Sequence, residues 1–260
     1  WLATGRDVKY MAMHNGPVSN AFIVNDLRIM VWAANLLGKT DDAETYAAQL
    51  EKTRDAYIKA FVKKDGTMKD DYQGAYVMAL KMVIPKGALW SKVYAQLVHR
   101  LKKDGMQTGF FATEHILPLL ADNGDEKLAF DLLLDERCGG WLYQVNAGAT
   151  TTWERWDAIR PDGTVNESKS NGDNMVSFNH YSFGSVGKFY YQYILGIKPV
   201  EPGFKKIKIQ PYIDDRIGAF SGGYKDIRAC YDGEKLHITT PAEATIVLPN
   251  GATYEVNAGT

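Results

Sequence analysis

Cysteine is scarce here: Cys138 and Cys230 are the only two among 260 residues. Two are too few for a disulfide framework and too few for a cysteine-built structural zinc site. Long apolar runs are missing as well. None approaches the roughly 18 to 20 residues that span a bilayer, so no membrane partner is expected. Charge of one sign is not in excess either. Thirty Lys and Arg face 31 Asp and Glu, a formal net charge of −1, which provides no basic surface for a nucleic acid. Gly-x-Gly-x-x-Gly, a phosphate loop and a Gly-x-Ser-x-Gly elbow are all absent, against nucleotide-binding and serine-hydrolase chemistry. His14, His99, His115 and His237 lack metal-ligand spacing, so neither a protein-built metal site nor a cofactor is expected. The opening Trp1-Leu2-Ala3-Thr4-Gly5 is neither an initiator sequence nor a signal peptide. The expectation is a chain that continues something upstream, with its destination not encoded in these residues.

What the sequence has in quantity is aromatic side chains, with 15 Tyr and 6 Trp. They suit an aromatic-lined ligand cleft and equally a large helical core. Up to about residue 196 the apolar positions recur every three or four residues. Ala21, Val24, Leu27, Val31, Ala34 and Leu37 form one such stripe, punctuated by Gly38. A second helix is expected from Thr40 to Phe61, a third over about 72–83 and a fourth over 89–101. Shorter ones are expected at 113–121 and 125–136, and a last one, dense in aromatics, over about 181–195. The stretches 105–112, 138–153 and 159–174 are longer than turns, and such connections at one end of a helical toroid form binding clefts.

After Gly196 the texture changes. Pro199, Pro202, Pro211, Pro241 and Pro249 punctuate short alternating runs such as Lys206-Ile207-Lys208-Ile209, the period-two signature of antiparallel strands. The reading is a two-domain α+β chain: a helical domain over 1–196 and a small β-sandwich over 197–260.

Two segments carry candidate chemistry. In Gly148-Ala149-Thr150-Thr151-Thr152-Trp153-Glu154-Arg155-Trp156-Asp157, a carboxylate lies between two tryptophans. Indole faces stack on sugar C–H faces, and a carboxylate among them can bind hydroxyls or take a proton from water. A buried strand with core tryptophans and an ion-paired Glu154 fits the composition as well. In Ser177-Phe178-Asn179-His180-Tyr181, His180 can bind a ligand through either ring nitrogen, or can serve as a cap or core residue.

Together these segments resemble the C-terminal half of bacterial α-L-rhamnosidases. The resemblance rests on Gly148 to Asp157, on Phe178-Asn179-His180-Tyr181, and on Gly196-Ile197-Lys198-Pro199 leading into Pro202-Gly203-Phe204-Lys205-Lys206-Ile207-Lys208-Ile209-Gln210-Pro211. Thr108-Gly109-Phe110 and Trp141-Leu142-Tyr143 also match family positions, and Trp1-Leu2-Ala3 is similar to the end of a Gly-Asp-Trp-Leu element. The resemblance implies a partial (α/α)6 toroid with a trailing β-sandwich, and hydrolysis of terminal α-L-rhamnosides with inversion. It implies Glu154 as general base, His180 as a sugar contact, and Trp1, Trp141, Tyr143, Trp153 and Phe110 as pocket walls. The implied substrate is a rhamnose-containing oligosaccharide or glycoside. The general acid, a Glu in an Asp-x-x-x-Asp-Glu-Arg-type motif, would lie upstream, so the implied partner is a missing N-terminal half of the catalytic domain. Gly139-Gly140 stands where the family often has Pro-Ser or Pro-Thr. Some members hold a calcium ion, for which this sequence offers no ligand cluster. The competing readings are a trehalase- or glucoamylase-like toroid enzyme and a noncatalytic carbohydrate-binding module.

Overall fold

The computed structural model describes residues 8–166 and 176–258. The expected pocket residue Trp1 lies outside them. The chain forms two compact units, one of Trp1–Leu119 with Leu132–Phe183, the other of Leu120–Asp131 with Gly184–Thr260.

The first unit is built on helices. After a short helix α1 (Val8–Met13), α2 (Gly16–Leu36) starts with a proline in its first turn, where a missing N–H costs nothing. It ends where Gly38 takes φ +67°, letting Lys39 N–H reach back to Ala34 C=O at 2.9 Å. The turn feeds α3 (Thr40–Phe61), which packs on α2. Asp41 and Asp42 in its first turn and Lys59 in its last complement the helix dipole. Its buried residues Ala43, Leu50 and Tyr57 recur at sevens, a single inward stripe.

Helix α4 (Gln73–Met78) continues into a π turn (Ala79–Val83), and every residue from Gln73 to Leu80 is buried. The π turn is closed by Ile84 N–H on Ala79 C=O at 2.8 Å, and Pro85 stops the helix. Helix α5 (Ala88–Asp104) buries Trp90, Val93, Leu97 and Leu101 and carries Lys102 and Lys103 at its C-terminal end. Helix α6 (Phe110–Ala121) begins at the 105–112 connection. Helix α7 (Glu126–Leu133), most of which belongs to the second unit, stops three residues earlier than its pattern suggests, because the Asp135 side chain accepts Arg137 N–H at 3.0 Å and starts a turn instead. A six-residue helix, α8 (Trp141–Asn146), stands inside the long 138–153 connection.

The second unit takes its β-structure from the end of the chain. Where one continuous helix over 181–195 was expected, a 3-10 turn (Ser182–Val186), one α turn, α9 (Gly187–Phe189), and a π turn (Tyr190–Ile194) follow one another. Gly184, Ser185 and Gly187 are weak helix formers, so regular α geometry has little local support there. Strands β1 (Ile197–Pro199), β2 (Lys206–Ile209), β6 (Glu243–Val247) and β7 (Thr253–Val256) form a sheet in the order β1-β2-β6-β7. Strands β3 (Phe220–Tyr224), β4 (Ile227–Tyr231) and β5 (Leu236–Thr239) form a three-stranded meander. All pairings are antiparallel except β2 with β6, which run parallel. Ile207, Ile209 and Ala244 from one sheet and Ile227 and Ala229 from the other bury themselves in one core, with Leu195 and Ile197. This is a small sandwich.

Candidate active site

The two sequence segments singled out for chemistry lie side by side. Glu154 N–H donates to Ser177 C=O at 2.8 Å, and His180 N–H donates to Thr152 C=O at 2.8 Å. Thr152 Oγ1 closes the pairing on His180 C=O at 2.6 Å, and Thr151 Oγ1 donates to Phe178 C=O. This short ladder brings the backbone of His180 within two residues of Glu154, although 26 positions separate them in sequence.

Glu154 is 8% exposed, and its Oε2 accepts Ser177 N–H at 2.9 Å. Backbone and side chain of Glu154 are thus both fastened to Ser177. The other oxygen, Oε1, carries no hydrogen bond among the described residues. His180 is ordered from two sides. Its ring stacks on Phe110 with centroids 4.7 Å apart and planes 22° from parallel. Its Nδ1 accepts Ser182 N–H at 3.3 Å. A backbone N–H can only donate, so Nδ1 is the acceptor of this bond, which leaves Nε2 as the donor position of the ring.

The aromatic residues divide. Phe110 also meets Phe183 edge-on at 5.7 Å, and Phe183 stacks on Trp156 at 3.8 Å. Trp141, 6% exposed, meets Trp156 at 90° and donates its indole N–H to Phe183 C=O at 2.8 Å. Trp156 donates to Thr108 C=O at 2.7 Å. Trp153 is 2% exposed and packs edge-on against Phe178. In this chain Trp141 and Trp153 are packed among neighbouring side chains of the Glu154 and His180 segments, whereas Phe110, half-buried, stacks on His180, as does Tyr181 at 5.1 Å. Tyr143 turns elsewhere: its hydroxyl donates to Ile159 C=O at 2.8 Å. Burial, then the neighbouring Cys138, push that phenol up to about 12, so it remains a donor at any working pH.

Asp157, the nearest other carboxylate in sequence, is occupied at both oxygens. Arg155 Nε donates to Oδ1 at 3.1 Å and Asn166 Nδ2 to Oδ2 at 2.8 Å. Trp156, Phe183, Ser177 and Gln144 are the contributors that pattern reading did not assign. Trp156 stood in the motif as Glu154's second neighbour, but a backbone donor such as Ser177 N–H leaves no mark in a sequence. Among the described residues no three His, Cys, Asp or Glu side chains converge as a candidate metal-ligand cluster.

The bacterial alpha-L-rhamnosidase 6 hairpin glycosidase domain matches this chain over residues 1–194. The chain belongs to that family. An α-L-rhamnosidase of Streptomyces avermitilis is 37% identical over 196 residues, covering 75% of this chain and 18% of the relative. One from Alteromonas sp. (strain LOR) is 30% identical over 255 residues, 94% of this chain and 27% of the relative. Among solved structures, the S. avermitilis α-L-rhamnosidase complexed with L-rhamnose matches all of this chain and 27% of its own at TM-score 0.85 and 28% identity. The native Aspergillus terreus enzyme matches at TM-score 0.79 and 28% identity, over 94% of this chain and 29% of its own. This rhamnosidase-family chain thus spans about a fifth to a quarter of the length of the curated relatives it matches.

Proposed function

We propose that this chain is the base-bearing part of an inverting α-L-rhamnosidase, acting on terminal α-L-rhamnosides of oligosaccharides or glycosides. The observation that carries the reading is the mooring of Glu154: a nearly buried carboxylate with one oxygen held by Ser177 N–H, on a ladder that also carries His180. In an inverting glycosidase a carboxylate takes a proton from the water that attacks the anomeric carbon. Glu154 Oε1 is the oxygen for that proton, and the Oε2 bond prevents the carboxylate from rotating away. His180 Nε2–H donates to a sugar hydroxyl, and the stacked Phe110 ring keeps the imidazole plane fixed while it does so. The water attacks opposite the leaving oxygen, so an α-L-rhamnoside is released as the β-anomer.

The second carboxyl must stand roughly 6.5–9.5 Å from the base to leave room for water. Asp157 is a poor candidate because both of its oxygens already accept hydrogen bonds from Arg155 and Asn166. In keeping with the family resemblance, the acid is assigned to an N-terminal half of the six-hairpin domain outside these 260 residues. Helix α2 supports that assignment. Ile23, Ile29, Met30, Trp32 and Leu36 are largely exposed on it, while Ala21, Val24 and Ala34 are buried on its other side. Large apolar side chains exposed on a helix whose opposite side is already buried mark a face suited to being covered by further structure.

The test is Glu154→Gln in the complete enzyme with an aryl α-L-rhamnoside. Turnover should fall about 10²- to 10⁴-fold with KM little changed, and azide should restore part of it with a product of opposite anomeric configuration. Wild-type turnover in Glu154→Gln would remove Glu154 from the reaction.

A further inference from the structure

Gln144 is the residue that fastens the Glu154 segment to the helix before it. It lies on α8 and is 3% exposed. Its backbone C=O accepts Ala149 N–H at 2.9 Å, and its side-chain Oε1 accepts Trp153 N–H at 3.1 Å. One residue thus ties down both ends of the 149–153 stretch, and the second tie is made at the Thr152–Trp153 peptide, one peptide before the one that carries Glu154 N–H. Trp153 is itself buried, so no solvent stands ready to replace that bond.

The other end of the same amide is the informative part. Gln144 Nε2 is buried and has no hydrogen-bond partner among the described residues. An unpaired buried donor is a cost to folding, and an apolar side chain of the same length would not incur it. The amide is a poor choice for packing alone. What it supplies that a methionine would not is the acceptor for Trp153 N–H.

We propose that Gln144 is a positioning residue for the general base: by holding Trp153 N–H it fixes the residue before Glu154, and with it the backbone from which the Glu154 side chain reaches Ser177 N–H and the attacking water. The inference rests on Glu154 being the base. Gln144 is buried and acts through Trp153, so on this reading its removal changes the rate and leaves binding alone. A base displaced by an ångström costs up to about 10²-fold in rate.

The experiment is Gln144→Met in the complete enzyme, measured beside Glu154→Gln. Methionine removes both the unpaired donor and the acceptor, one change favouring the fold and the other opposing it. Positioning predicts a kcat lower by about 10- to 100-fold, KM within about twofold of wild type, and a melting temperature within roughly 3 °C. Wild-type kcat overturns the proposal. So does a melting temperature that falls together with kcat, including outright failure to fold, since that is the signature of a purely structural residue. A rise in KM that accounts for the loss overturns it too. If Glu154→Gln is inactive while Gln144→Met behaves as wild type, only the positioning role fails. If Glu154→Gln remains fully active, the base assignment fails and the positioning role with it.

Discussion

Replacing Trp156 by Phe tests whether the aromatic cluster under the site is held by one specific hydrogen bond. The indole N–H donates to Thr108 C=O at 2.7 Å, and Thr108 is fully buried. A phenyl ring leaves that carbonyl without a partner, a cost of about 1–3 kcal/mol. It also vacates roughly 40 Å³, worth about 1 kcal/mol at some 24 cal/mol per Å³. The stack on Phe183, at 3.8 Å between centroids, is available to a phenyl ring as well, so no further loss is assigned to it. The sum is about 2–4 kcal/mol, and at roughly 2–4 °C per kcal/mol the melting temperature should drop by about 5–15 °C. Differential scanning calorimetry of the complete protein reads this directly. A drop under about 2 °C would mean that the Thr108 carbonyl finds water and that the cluster repacks without penalty.

Three further outcomes follow from the geometry. Gly196 sits at φ +73°, and a Cβ there would lie 2.2 Å from the Gln210 carbonyl carbon and the Pro211 nitrogen; Gly196→Ala should lower the melting temperature far more than Gly38→Ala, where φ is +67° but nothing lies within 4 Å and the left-handed backbone alone costs about 1–2 kcal/mol, and equal effects would refute the backbone clash. The Arg100 guanidinium, donating to both Asp71 oxygens at 2.6 and 2.7 Å, holds that carboxyl below its ordinary 3.8. Because the folded value is depressed, this contribution is complete above about pH 4 and is lost as pH falls through the folded value; Asp71→Asn should flatten the acid limb of stability slightly, the pair being partly exposed, and identical pH slopes by urea titration would refute it. The isolated 260 residues should bind a hydrophobic dye through α2 and hydrolyse an aryl α-L-rhamnoside barely or not at all, whereas robust turnover would require a second carboxylate from within this chain.

The helical stripes of α2, α3 and α5 were legible because each recurs over three or more turns, long enough for a 3.6-residue period to stand out. Helix α8 was not, because six residues after Gly139-Gly140 are too few to display a period. The broken helix after Ser182 escaped for a different reason: its aromatic residues keep helical spacing, while Gly184 and Gly187 weaken the backbone that spacing assumes. At the site, Glu154 and His180 could be named from residue type, and their pairing could not, since a ladder between segments more than twenty residues apart is a tertiary fact. The same limit holds for the tryptophans: a sequence shows that Trp153 and Trp156 flank Glu154 and does not show what their faces pack against.

The parallel pairing of β2 with β6 sets an order of events during synthesis. The meander β3-β4-β5 lies wholly between those two partners in sequence, and each of its pairings joins consecutive strands. It can close as soon as it emerges, while β2 waits for Glu243–Val247 with one edge of its backbone unpaired. Through that interval Ile207 and Ile209 are flanked by Lys206 and Lys208. Lysines on an open edge are a recognised deterrent to pairing with a foreign strand. Replacing both by threonine would keep the strand's propensity and leave the nascent chain exposed to its neighbours on the ribosome.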